Sequence, residues 1–257
     1  MAQVESANVV GYQDIVVTPG FNCISLNFDA VGGGGIDIQN LIATNNLIAG
    51  NSATVSDRIQ IWDGTRFTEY FYRAYKANNP GRFLLGPCWV KNQSGYTGEK
   101  AAYSITNAVG VWFARPDTAP ATATIKMMGE VGDTAKNLQI NPGFNMIGLA
   151  FPVDIEVNSE SCPIDWTTCA IAGNSATASD RIQVWDGTRF TEYFYRAYKA
   201  NNPGRFLLGP CWVKNQSGYT GEKADLTIHA GEGFWYARPE DQNSGAIVQE
   251  SPIAVAP

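Results

Sequence analysis

A nucleophilic serine or cysteine needs a neighbouring base, and the chain offers a single histidine, His229. No serine stands in a G-x-S-x-G setting, and 123 residues earlier the position of His229 is held by Thr106. A histidine site would therefore exist once in a chain that otherwise repeats itself, and a lone histidine in a strand reads as a structural group. Paired carboxylates are the next candidates, because two of them can hydrolyse a glycosidic bond. Asp57, Asp63 and Glu69 recur as Asp180, Asp186 and Glu192. Here Asp63 is explained by the turn it opens, and Glu69 by an expected cross-strand ion pair directly opposite Arg58. Five cysteines without a C-x-x-C and one histidine do not make a zinc set. Gly32 to Gly35 lack a following lysine, so they predict a flexible loop rather than a phosphate cradle. The residues call for no catalytic group, no cofactor and no metal.

Aromatic rings are the more serious candidates. Trp62, Tyr70, Tyr72 and Tyr75, with their copies Trp185, Tyr193, Tyr195 and Tyr198, could stack on sugar faces if they stand exposed in a row. Trp89 and Tyr96 belong to the same set. Two equal sites on one chain would gain avidity for a polysaccharide. The competing reading is that these rings pack the core and the hairpins.

The elements that position these residues come in duplicate. Residues 49–101 and 172–224 are identical at all but two of 53 positions, the exceptions being Val55/Ala178 and Ile61/Val184. At the same offset of 123, Pro19-Gly20-Phe21-Asn22 meets Pro142-Gly143-Phe144-Asn145, and Trp112 meets Trp235. On this reading the match continues without a gap, and the chain is two copies of one unit, residues 1–123 and 124–257.

Within a unit, Pro-Gly at 19–20 predicts a type II turn between apolar segments. Asp63-Gly64 between Ile59-Gln60-Ile61-Trp62 and the stretch 65–72 predicts a two-residue hairpin turn. That hairpin puts Ile59, Ile61, Tyr70 and Tyr72 on one face, and Trp62, Phe67 and Phe71 on the other. Further short strands are expected at 83–85, 88–90, 109–114 and 123–131, and at most a short helix over 41–49. With 26 glycines and 13 prolines marking turns, the chain reads as all-β: two tandem homologous sandwich or partly closed barrel units.

No apolar run approaches the roughly 18–20 residues of a membrane span. No basic-then-apolar leader opens the chain, so an export signal is expected to be absent or removed ahead of Met1. A net charge of −6 argues against nucleic acid as a partner. That charge is unevenly placed. Each 53-residue block carries seven Lys/Arg and four Asp/Glu, so the remaining 151 residues hold a net −12. Complementary patches of this kind orient like molecules, or draw an acidic polysaccharide.

The order "SDRIQVWDG…YFY…WV…A…GEGFWYARP" from Ser179 to Pro239, with "ANVVGYQDIVVTPGFNCISLNF" from Ala7 to Phe28, resembles secreted β-repeat proteins of Verrucomicrobia and related bacteria. The resemblance implies export and an extracellular or surface location, and it brings no catalytic residue. The second unit departs from it where Gly132-Asp133-Thr134-Ala135 replaces Val9-Val10-Gly11-Tyr12.

Each terminus resembles one side of the join already made inside the chain at 123–131. This predicts a head-to-tail contact between molecules. In it Ala246, Ile247, Val248, Ile253 and Val255 of one chain pair near Val4, Ala7, Val9 and Val10 of the next. Cys162 and Cys169 are candidates for a local disulfide, a Cys23–Cys88 bond is a further one, and Cys88 and Cys211 read as buried thiols. The expected function is that of a non-enzymatic extracellular structural protein forming filaments or a surface layer with itself as partner. The alternative is a polysaccharide-binding protein.

Overall fold

The computed structural model describes residues 9–42, 47–74, 87–94, 99–119, 122–197, 209–216 and 222–252. The fold is all-β, with one short α-helix among the described residues. The first half of the chain contributes β1 (Val9–Val17), β2 (Gly20–Ser25), β3 (Ile36–Asp37), β4 (Arg58–Trp62) and β5 (Phe67–Arg73). It continues with β6 (Cys88–Lys91), β7 (Ser104–Ile105), β8 (Gly110–Arg115) and β9 (Ala123–Val131). The second half follows with β10 (Lys136–Ile140), β11 (Gly143–Gly148), β12 (Ile155–Glu156), α1 (Trp166–Cys169), β13 (Arg181–Trp185) and β14 (Phe190–Arg196). It closes with β15 (Cys211–Lys214), β16 (Thr227–Ile228), β17 (Gly233–Arg238) and β18 (Gly245–Gln249).

The strands form the same three sheets twice. A five-stranded sheet runs β2-β8-β4-β5-β6 in the first half and β11-β17-β13-β14-β15 in the second. A two-stranded ribbon pairs β1 with β9, and its counterpart pairs β10 with β18. A short bridge pairs β3 with β7, and β12 with β16.

Local chemistry explains the elements. Gly20 and Gly143 sit at φ +90° and +85°, the left-handed geometry that the second centre of a type II turn needs. The asparagine two residues later clamps each turn: Asn22 Oδ1 accepts from Thr18 N at 2.9 Å while its Nδ2 donates to Thr18 O at 2.8 Å. Asn145 does the same to Asn141. In the hairpin, Asp63 Oδ1 accepts from the backbone N–H of both Thr65 and Arg66, at 2.9 Å each. This local turn holds four residues, 63–66, between Trp62 and its cross-strand partner Phe67.

The expected two-residue loop is thereby corrected. Glu69 lies directly opposite Gln60, not Arg58, and its ion pair with Arg58 is a diagonal one at 3.5 Å. A slip of two residues preserves which face each side chain takes, so Ile59, Ile61, Tyr70 and Tyr72 are buried together as expected.

Each half encloses its own apolar cluster. Ile59, Tyr72, Trp89 and Phe113 of the first five-stranded sheet pack with Ile15, Val17, Ile125 and Met127 of the ribbon. Ile182, Trp212 and Tyr236 pack with Ile140 and Ile247 in the second. The first ribbon comes close to its core because Gly11 and Gly129 face each other across it. A β-carbon on Gly11 would overlap the Phe28 ring.

The gapless match is also corrected. Ile36-Asp37-Ile38-Gln39 is structurally equivalent to Ile155-Glu156-Val157-Asn158, since β3 and β12 pair with the corresponding strands β7 and β16. Gln39 Nε2 donates to Trp89 O and Ala101 O at 2.9 Å, and Asn158 Nδ2 does the same to Trp212 O and Ala224 O. The first half spends four extra residues before this point, in its glycine run, and the second regains them around α1. A further residue is missing before β18, where Ile247 takes the buried place of Ile125. The helical expectation over 41–49 meets a 3₁₀ turn at Ile38–Ile42, and 83–85 lies outside the described residues.

Candidate interaction surfaces

The outer faces of the two five-stranded sheets meet each other. Trp62 Nε1 donates to Phe144 O at 2.9 Å, and Trp185 Nε1 donates to Phe21 O at 2.9 Å. The Trp62 ring packs edge-on against Trp235 with centroids 5.6 Å apart, and Trp185 packs likewise against Trp112 at 5.7 Å. Phe67 joins the first pair and Phe190 the second. The backbone repeats the pattern: Ser25 N donates to Gly231 O and Gly148 N donates to Ala108 O, both at 2.9 Å. Every one of these contacts maps onto its partner at an offset of 123, so the seam has the self-complementary form of a two-fold interface.

Glycines make this approach close enough. A β-carbon on Gly110 would stand 2.7 Å from Ile147 O, and one on Gly233 2.6 Å from Ile24 O. Arg58 caps the Phe21 ring at 5.8 Å and Arg181 the Phe144 ring at 5.7 Å, a cation–π contact on each side.

The aromatic candidates are consequently divided. Tyr70, Tyr72 and Tyr195 lie in the cores, Tyr193 is partly buried, and Trp62 and Trp185 belong to the seam. They form no single exposed row, and Trp89 is fully buried. Tyr75, Tyr96 and Tyr198 lie outside the described residues.

The terminal candidates fall in the ribbons. Val9 and Val10 pair with Val131 and Glu130, while Ala246, Ile247 and Val248 pair with Gln139, Leu138 and Asn137 of their own half. Val4, Ala7, Ile253 and Val255 lie outside the described residues. The far side of β18 is engaged as well: Gln249 bridges to Ile164, and Glu250 N donates to Pro163 O at 2.9 Å. β9 is held at Glu130, which exchanges backbone hydrogen bonds with Asp29. Among the described residues, no strand pairs with the outer edge of β1 or of β10.

The outward face of the first ribbon carries four exposed apolar side chains, interrupted by the Asp14–Lys126 ion pair at 3.8 Å. Val10, Tyr12, Val16 and Met128 are 55, 72, 59 and 60% exposed. Beside them opens a groove of about 660 Å³ lined by Tyr12, Val31, Ile36, Leu41, Met127 and Met128. The equivalent face of the second ribbon carries Asn137, Gln139, Ala246 and Val248. Sequence reasoning missed both the free edges and this contrast, although the alternation V-x-Y-x-D-x-V from Val10 to Val16 was there to be read as an outward stripe.

The groups weighed for chemistry are each engaged. Asp57 is buried 3.7 Å from Arg115, and burial holds its carboxyl above the usual range. Glu69 accepts from Gln60 Nε2 at 2.7 Å and Asn92 Nδ2 at 2.6 Å, and Glu192 repeats this with Gln183 and Asn215. The turn hydrogen bonds bring Asp63 and Asp186 down to about 2. His229 Nδ1 lies 3.0 Å from Asp154 Oδ2, on the surface.

A cleft of about 350 Å³ at the seam is lined by Asp14, Cys23, Asp186 and Glu232 among others. Burial, reinforced by Glu232, pushes the Cys23 thiol well up, so it stays protonated at neutral pH and is a poor nucleophile. The proposed Cys162–Cys169 and Cys23–Cys88 bonds are corrected: all five cysteines are free. Trp166 of α1, buried between the two former positions in sequence, packs into the core against Trp212 at 5.2 Å. Among the described residues no group of three His, Cys, Asp or Glu is placed to hold a metal, and no helix is long and apolar enough to cross a membrane. No family model, curated protein or solved structure matches the chain.

Proposed function

We propose that the chain is a non-catalytic structural protein of the cell surface or extracellular space, built from two tandem β-sandwich units that assemble head to tail into filaments or a layer. The observation that carries this reading is the pair of strand edges, one per half, on β1 and β10, with which no strand among the described residues pairs. An exposed edge presents unpaired backbone donors and acceptors to another chain. β1 adds nine residues of length and the outward Val10, Tyr12 and Val16. A molecule with two such edges can be joined twice, the minimum for a polymer, and joining β1 of one chain to β10 of the next gives an open series. The C-terminal strand, expected to make this joint, is already engaged on both sides, so the free edges take its place. The location rests on the resemblance to secreted β-repeat proteins; the free cysteines add nothing to it.

The reading is tested by light scattering across a concentration series. Wild-type chains are expected to grow in mass with concentration, and a Tyr12→Lys, Val16→Lys variant to stay monomeric with its circular dichroism unchanged. Equal masses for both at every concentration would overturn the role of β1.

A further inference from the structure

We infer that the seam is a docking surface whose partner is a second copy of the repeat, so that halves without a peptide bond between them, from one chain or from two, unite through it. This rests on the proposed assembling role and gives it a second joint between molecules. Each half carries both sides of the contact. The first supplies a donor in Trp62 and an acceptor in Phe21 O, and the second supplies Trp185 and Phe144 O. The same holds for the backbone, where Ser25 and Gly148 donate to Gly231 and Ala108. Nothing in this set of bonds depends on the linker 132–135, which crosses between β9 and β10.

The surface is shaped for one partner. Gly110 and Gly233 leave room for the opposite backbone and for little else, since any β-carbon there would press on a carbonyl oxygen. Half-exposed Phe21 and Phe144 each close one end, with an arginine over the ring. Fully buried Asn27 donates from Nδ2 to Leu149 O, and partly exposed Lys136 Nζ reaches Asp29 Oδ2 at 2.6 Å, adding two polar pairs between the halves. Apolar contact continues through Ala108, Ala150 and Phe151. A seam formed between two chains would contain the same bonds as the one within a chain. The short linker favours the internal one by raising the local concentration of the second half, and crowded chains would exchange halves.

The test uses the full chain with a protease site inserted in the linker between Gly132 and Asp133, cut after folding. Light and nitrogen-15-labelled preparations are cut, mixed and weighed by native mass spectrometry. The expected result is particles of intact-chain mass, with hybrids of one light and one heavy half becoming as common as the unmixed species. Halves that separate as folded fragments on cutting would overturn the inference, and so would halves that stay together but never form hybrids. A Trp62→Ala, Trp185→Ala variant, its folding followed in the uncut state, is expected to release free halves; hybrids in undiminished yield would contradict the seam. Loss of hybrids with concentration-dependent growth intact would sink this inference alone, because the substituted Trp62 and Trp185 lie on neither β1 nor β10.

Discussion

Two buried ion pairs occupy equivalent positions in the halves and are built differently. In the second half Asp180 Oδ2 accepts from Tyr236 OH at 2.5 Å, from Arg238 Nη2 at 2.8 Å and from Ile171 N at 3.0 Å. Arg238 Nη2 also donates to Cys169 O at 2.7 Å, which ties the end of α1 to the pair. In the first half Phe113 stands where Tyr236 does, so the Tyr236 hydroxyl that donates to Asp180 has no equivalent at Asp57. Asp57 accepts from Ile48 N at 2.8 Å and faces Arg115 at 3.7 Å, too far for a hydrogen bond. A buried carboxylate is tolerable when its lone pairs are filled. The comparison teaches that the same Asp–Arg pair is a completed network in one half and a looser one in the other, although the blocks holding Asp57 and Asp180 are nearly identical. The difference comes from β8 and β17, outside those blocks.

Removing the cation should separate the two most. Arg238→Met takes the hydrogen-bonded cation away from the buried Asp180 and is expected to lower stability by roughly 3–5 kcal/mol. Arg115→Met should cost less, because the carboxyl of Asp57 already holds its proton more tightly and can neutralise. Denaturant titration of the two variants checks this, and equal losses would break the comparison. Next comes Tyr236→Phe, which removes one hydrogen bond to a charged group and should cost about 1.5–3 kcal/mol. Phe113→Tyr should strengthen the first half by part of that amount, provided the added hydroxyl reaches Asp57. A loss of stability there would show that the two sites are not interchangeable.

The ionisation of Asp57 sharpens the same contrast. Its folded pKa lies above the ordinary 3.8, so between 3.8 and the folded value its contribution to stability declines as pH rises. Carbon-13 titration of the carboxyls should place Asp57 above 3.8, with Asp63 and Asp186 at about 2. An Asp57 signal titrating below 3.8 would contradict the looser network. The smallest effect belongs to a pair found only in the second half. The hydrogen bond to Asp154 raises His229 above 6.5, so what the pair contributes is full below 6.5 and fades as pH climbs through the folded value. Asp154→Asn should return the His229 proton signal towards 6.5, and no change in its titration would rule the pair out.

Much of this architecture was legible in the residues. The duplication, the Pro-Gly turn and the strand at Ala123–Val131 follow from identity, turn chemistry and alternation. The hairpin register did not, because the Asp63 carboxylate draws two further residues into the loop, a local bond that the Asp-Gly pair alone does not announce. The gaps were concealed because four residues spent in the glycine run are recovered near α1, although Ile36-Asp37-Ile38-Gln39 beside Ile155-Glu156-Val157-Asn158 carried the signal. Aromatics on both faces of the hairpin were readable, and that the second face meets the other copy was not. That requires knowing that Gly110 and Gly233 let two sheets approach, a tertiary fact. The free edges of β1 and β10 were hidden for the same reason, since what a strand lacks is visible only once its neighbours are placed.

The most direct test of the head-to-tail account mixes two blocked chains. One carries Tyr12→Lys and Val16→Lys on β1, and the other carries Asn137→Lys and Gln139→Lys on β10. Light scattering should show monomers for either alone, and dimers that grow no further when they are combined, because one sound β1 and one sound β10 remain to make a single joint. Monomers in the mixture, or dimers from the β10-blocked chain alone, would contradict the joining of β1 to β10.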